Sequence, residues 1–162
     1  MTRDQKQTIK TYAVAVAIPL AVGLLSALLT RDGMQIYSEV NTPPLSPPSI
    51  LFPIVWTLLY ILMGVSSGMV WTKKRDNPKV AERGISCYIV SLAFNFLWSI
   101  FFFRLRWFPF SFFWLLGLLA LIVGTILYYR KISRAAAYLQ IPYALWVTFA
   151  GYLNAGIWIL NR

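Results

Sequence analysis

The sequence predicts an all-α membrane protein, a bundle of five transmembrane helices with a long proline-rich first loop. Three observations carry that prediction. Five stretches, residues 11–30, 51–72, 84–103, 107–129 and 135–161, contain no charged side chain, and at a rise of about 1.5 Å per residue each crosses roughly 30 Å of hydrocarbon. With 59% hydrophobic and 12% charged residues, a water-soluble chain of this length would lack the polar surface it needs. The apolar runs are unbroken, without the alternation of barrel strands, so the backbone satisfies its hydrogen bonds within helices. Residues 1–162 are read as one such domain.

The first span follows a basic segment, Arg3, Lys6 and Lys10, as a secretory signal would. Its 20 uncharged residues exceed the h-region of a signal peptide, and Thr30-Arg31-Asp32 is no small-residue cleavage site, so it is expected to stay as a helix. The first connection, residues 32–50, is long. It carries a short helix around residues 35–40 and then Asn41-Thr42-Pro43-Pro44-Leu45-Ser46-Pro47-Pro48-Ser49. Paired prolines hold φ near −65° and bias the preceding residue to extended backbone, so this segment reads as a stiff strap and a lid. Pro53 and Pro109 fall in the first turns of spans two and four, where a missing N–H costs little, whereas Pro19 and Pro142 sit inside spans one and five and are expected to bend them locally. The remaining connections are short, as antiparallel neighbours in a bundle require.

Charge sets the orientation. Eleven basic residues, in the N-terminus and in the 73–83 and 130–134 connections, share one side, against four, Arg31, Arg104, Arg106 and Arg162, on the other. By the positive-inside rule the N-terminus is cytoplasmic and the C-terminus outside, as in a bacterial inner membrane. The net charge of +10 thus reads as topology and attraction to anionic headgroups, with no nucleic-acid partner. The chain has no histidine and one cysteine, Cys87, which leaves no histidine-based catalytic mechanism, disulfide framework or multi-cysteine metal site. No acidic or basic side chain lies deep in a span, and an ion-coupled carrier would place one there.

The interior is aromatic. Trp71, Trp107 and Trp158 lie near span ends, at headgroup level, whereas Trp56, Trp98, Trp114 and Trp146 lie deeper. On an ideal helix Tyr143, Trp146, Ala150, Asn154 and Trp158 share a stripe of about 120°, and Tyr88, Ser91, Asn95, Trp98 and Phe102 one of about 80°. Span two adds Trp56 and Tyr60. Trp56, Asn95, Trp98 and Asn154 come at similar depth on the side where the strap emerges, so they are expected to close one cavity beneath it. Asn95 and Asn154 have a plainer alternative, in which they fasten helices together. Ala150 leaves room beside the rings, which favours a flat, aromatic-stacking ligand with a few polar groups. Gly64 and Gly68, and the Ala13, Ala17 and Ala21 series, permit close helix contacts within one chain or between two.

Several segments together resemble the TspO family, the tryptophan-rich sensory proteins related to the mitochondrial translocator protein, or peripheral benzodiazepine receptor. They are Pro43-Pro44-Leu45-Ser46-Pro47-Pro48, Val55-Trp56 through Tyr60 with Met63-Gly64, Asn95 through Phe102 around Trp98, Arg130 through Ala137, and Pro142-Tyr143 through Asn154. The resemblance implies a five-helix bundle, usually a homodimer in the lipid bilayer. It also implies binding of porphyrins such as protoporphyrin IX, and of isoquinoline carboxamide and benzodiazepine ligands, in a pocket beneath the first loop. Carried over residue by residue, that pocket is walled by Trp56, Asn95, Trp98, Trp146, Ala150 and Asn154, with Tyr37 and Pro44 from the lid. Ala150 stands where a change to threonine affects ligand affinity in mammalian relatives.

Two departures stand out. Leu45 occupies a place that is tryptophan in many bacterial members, and Tyr152 lies ten residues from Arg162, too far for the cholesterol consensus of animal relatives. Three functions follow from the resemblance. The first is a receptor or sensor in which a porphyrin stacks on Trp56 and Trp146, with Arg31, Arg104 and Arg106 near its propionates. The second is light-dependent porphyrin breakdown, with Trp56 and Trp146 as the photochemical residues, and the third is facilitated transport of porphyrin or another lipophile. None requires an obligatory cofactor or a metal; porphyrin enters as the ligand.

Overall fold

The computed structural model describes residues 3–162, the side chains of Arg3, Asp32 and Met34 excepted. Met1 and Thr2 of the expected domain, and the Arg3 side chain counted on its basic side, therefore lie outside the described residues.

Five helices are long and apolar enough to cross a membrane. Helix α1 runs Arg3–Thr30, α3 Leu51–Thr72, α4 Pro78–Ser99, α5 Phe108–Arg130 and α6 Arg134–Leu160. Between the first two lie a 3₁₀ turn, Arg31–Gln35, and a single helical turn, α2, Ile36–Glu39, where the sequence predicts a short helix. Helix α1 begins well ahead of its apolar run, because the polar residues before Thr11 include good helix formers. Asn77 starts α4 by accepting a hydrogen bond from the Val80 N–H through its side chain, with Pro78 in the first turn. Ser133 caps α6 in the same way with the Ala136 N–H, and Pro109 occupies the first turn of α5. These starts match the physics of helix N-termini, where unpaired N–H groups need an acceptor and proline removes one of them. Helix α4 ends in a π turn, Ile100–Arg104, and Arg106 then takes φ 55° to reverse the chain into α5.

Around the bundle α1 packs on α3, α3 on α6, α6 on α5 and α5 on α4, while α4 closes the ring against α1 through a sparse seam. The glycines explain where the ring is tight. A Cβ on Gly64 would meet the Val16 Cα at 2.5 Å, and one on Gly68 would meet the Tyr12 ring at 2.8 Å. The GxxxG series on α3 is therefore spent on α1 of the same chain, while Ala13, Ala17 and Ala21 stay exposed. On the far side a Cβ on Gly84 would meet Tyr128 and Tyr129 of α5 at 3.0 Å, so α4 leans on α5 and away from α1.

Polar side chains fasten the interior in pairs, as groups without access to water must. Ser66 Oγ donates to the Ala136 carbonyl at 2.8 Å and accepts from Gln140 Nε2 at 3.2 Å, tying α3 to α6. Ser67 and Tyr129 share a hydroxyl contact of 2.9 Å between α3 and α5. Trp114 donates its indole N–H to the Phe94 carbonyl at 2.9 Å and stacks on the Phe94 ring, joining α5 to α4.

Candidate functional site

A cavity of about 600 Å³ opens at the strap end, between α1, α3, the end of α4 and α6. That volume is in the range of small-molecule sites, which are concave, mostly apolar and carry few polar groups. Phe52, Trp56 and Tyr60 face it from successive turns of α3, Trp98, Phe102 and Phe103 from α4 and its π turn, and Trp146, Ala150 and Leu153 from α6. Helix α1 supplies Leu20, Gly23, Leu24 and Ala27, and Tyr37 enters from α2.

The rings form a connected lining. Trp56 stacks on Tyr60 with centroids 5.6 Å apart and meets Tyr143 edge-on at 6.2 Å. Phe52 links Tyr37 (5.1 Å, stacked) to Trp146 (5.9 Å, edge-on). Trp98 stacks on Phe102 at 5.3 Å. Aromatic pairs at such separations hold one another in place beyond their area burial, so the wall is preorganised. Gly23 is part of the design: a Cβ there would meet the Tyr60 ring at 2.2 Å, so only glycine lets Tyr60 sit against α1.

Of the eight residues singled out in the sequence, Tyr37, Trp56, Trp98, Trp146 and Ala150 line the cavity and Asn95, Asn154 and Pro44 do not. Asn95 stands one layer behind the wall, donating from Nδ2 to the Tyr60 hydroxyl at 2.8 Å. Asn154 is fully buried at the α5–α6 contact, where its Nδ2 donates to Ser111 Oγ at 2.8 Å and its Oδ1 lies 3.1 Å from the same hydroxyl. The fastening alternative therefore describes Asn154. Asn154 lies about 80° round α6 from Trp146, and that offset turns it onto Ser111 of α5 instead of into the cavity. Pro44 is exposed and offers its carbonyl to the Tyr152 hydroxyl at 2.7 Å, so it anchors the strap instead of touching the cavity.

The strap is held at several points. Asn161 brackets Asn41, accepting from its N–H and donating to its carbonyl, both at 2.9 Å. Pro43 is buried against Gly156, where a Cβ would meet its ring at 2.5 Å. Glu39 pairs with Arg106 at 2.6 Å, which commits that arginine to the strap. Arg31 lines the cavity mouth, and Arg104 is exposed away from it. Burial pushes the Tyr37 phenol above the usual tyrosine range, so the lid's aromatic edge stays uncharged at physiological pH.

Two polar atoms on adjacent turns of α4, Trp98 Nε1 and Asn95 Oδ1, are buried without a hydrogen-bond partner. Sequence reasoning found the tryptophans but assigned no wall to α1. The one signal was Gly23, a glycine in the middle of an otherwise continuous apolar run, a pattern that marks a close approach. Among the described residues no cluster of histidine, cysteine, aspartate or glutamate is arranged to hold a metal ion.

The sequence has relatives among known proteins. The sequence profile of the TspO/MBR family matches residues 15–159. The tryptophan-rich protein TspO of Chlorobaculum tepidum is 34% identical, over 94% of this chain and 97% of its own length. The translocator protein of Bos taurus is 32% identical, over 90% and 86%, and the tryptophan-rich sensory protein of Cereibacter sphaeroides 28%, over 93% and 89%. With five membrane-spanning helices, an aromatic cavity under a proline-rich strap and this span of similarity, the chain belongs to the TspO/MBR family of integral membrane proteins.

Proposed function

We propose that the protein is a membrane receptor for flat, hydrophobic aromatic ligands, tetrapyrroles such as protoporphyrin IX foremost, which it binds in the cavity beneath the strap. The observation that carries this reading is the placement of Trp56 and Trp146 on facing helices in one wall of a 600 Å³ cavity. A planar macrocycle gains most from such a wall, because each offset or edge-on ring contact adds roughly 0.5–1.5 kcal/mol to the burial of its area. Ala150, also in the lining, leaves space beside the rings. The uneven distribution of basic residues favours a cytoplasmic N-terminus, with the strap and cavity mouth outside.

Titration of the purified protein with protoporphyrin IX, followed by tryptophan quenching, tests this. Replacing Trp56 and Trp146 together by phenylalanine is expected to weaken binding about tenfold, roughly what two reduced ring stacks supply. Unchanged affinity in that double variant rejects the stacking site.

A further inference from the structure

A second opening of about 430 Å³ lies at the other, basic end of the bundle, in the sparse seam between α1 and α4. The glycine contacts create it. Gly64 and Gly68 draw α1 onto α3, Gly84 draws α4 onto α5, and the two helices part. The slot is floored by Ser67 of α3 and Tyr88 of α4, both buried, and rimmed by Val14 and Ile18 on α1 and Ile89 on α4, each half exposed or more. On an ideal helix Gln7, Lys10, Thr11, Val14 and Ile18 form a single stripe along α1, and the stretch from Lys10 to Ile18 is about 12 Å long, close to half of the hydrocarbon core.

The slot is apolar along its length and cationic at its mouth. Lys10 is part of the wall, and Lys74 Nζ sits 3.7 Å from the centroid of the Trp71 ring, which also lines the slot. Among the described residues no acidic side chain lines it. Lys6, Lys73 and Lys79 belong to the same basic end. A groove of one-leaflet length, open sideways to lipid and marked at headgroup level by two ammonium groups, is complementary to a lipid of that leaflet with a negative head.

We propose that this slot holds one acyl chain of an anionic phospholipid, with its phosphate between Lys10 and Lys74 and its chain between α1 and α4. The site is separate from the cavity beneath the strap, shares no lining residue with it, and does not depend on what that cavity binds. Bound lipid would fill the sparse seam between α1 and α4.

Native mass spectrometry of the purified chain, exposed to equal amounts of phosphatidylglycerol and phosphatidylcholine, tests the proposal. The wild-type protein is expected to retain one phosphatidylglycerol per chain in preference to phosphatidylcholine. Exchanging Lys10→Gln and Lys74→Gln should reduce that preference about fivefold per lysine removed. Ile89→Trp, a change on an exposed rim that leaves the core intact, should fill the slot and abolish retention. Equal retention of the two lipids by wild type, or unaltered retention by Ile89→Trp, overturns the proposal. So does a wild-type dimer that Ile89→Trp splits into single chains, because the slot would then be covered by a second copy.

Discussion

At the scale of single residues, the face a side chain occupies on its helix and the neighbour it meets are separate properties, and only the first is readable from position along a span. Asn154 and Trp146 are eight residues apart on α6, yet one clasps Ser111 of α5 and the other faces the cavity. Their substitutions should separate accordingly. Asn154→Leu removes an interhelical hydrogen bond of the kind worth on the order of 1 kcal/mol in membranes. It is expected to lower the thermal unfolding midpoint in detergent while leaving porphyrin affinity within about twofold, since each tenfold change in affinity needs about 1.4 kcal/mol at the site itself. A calorimetric or fluorescence melt beside a ligand titration checks both halves, and a large loss of affinity with an unchanged melt would place Asn154 at the ligand. The aromatic identities were legible residue by residue because tryptophan far from a headgroup region needs a reason to be there. The partners of Asn95 and Asn154 were not, since an amide satisfies itself equally well on a hydroxyl or a ligand.

At the scale of elements, the strap is a clamped lid, and its stiffness comes from two sources. Its prolines restrict the backbone, and Tyr152 and Gly156 of α6, with Asn161 just after it, fix it at Pro44, Pro43 and Asn41. Leu45, at φ 66° and 83% exposed, turns the chain between the proline pairs and meets solvent. Gly156→Val should displace Pro43, because even a Cβ collides with its ring. The expected result is faster amide hydrogen exchange over residues 38–51 and faster ligand dissociation, with the five helices retained by circular dichroism. Exchange in this segment as slow as in the wild type would show that the seat on Gly156 is not what holds the strap. The spans and the strap were legible because length, apolarity and paired prolines are local properties. The π turn ending α4 and the role of α1 in the wall were not, as both follow from how α4 and α3 pack on neighbours distant in sequence.

At the scale of the whole molecule, the helices form a ring in the order α1, α3, α6, α5, α4, which places the last span between the second and the fourth. Chain order and short connections alone leave that order open. Glycine contacts select it, tight where Gly64, Gly68 and Gly84 meet a neighbour and loose at the α1–α4 seam. The charge distribution makes a further prediction at this scale. In Cys87→Ser protein, a cysteine placed at Lys131 should react with a membrane-impermeant thiol reagent only from the cytoplasmic side, and one at Arg106 only from outside. The reverse pattern would invert the proposed orientation.

The account turns on occupancy of the aromatic cavity, and a structure determined with protoporphyrin IX bound tests it most directly. The expected result is macrocycle density between α3 and α6 beneath the strap, in contact with both Trp56 and Trp146. Density confined to the lipid-facing surface, with the cavity beneath the strap unfilled, would contradict it.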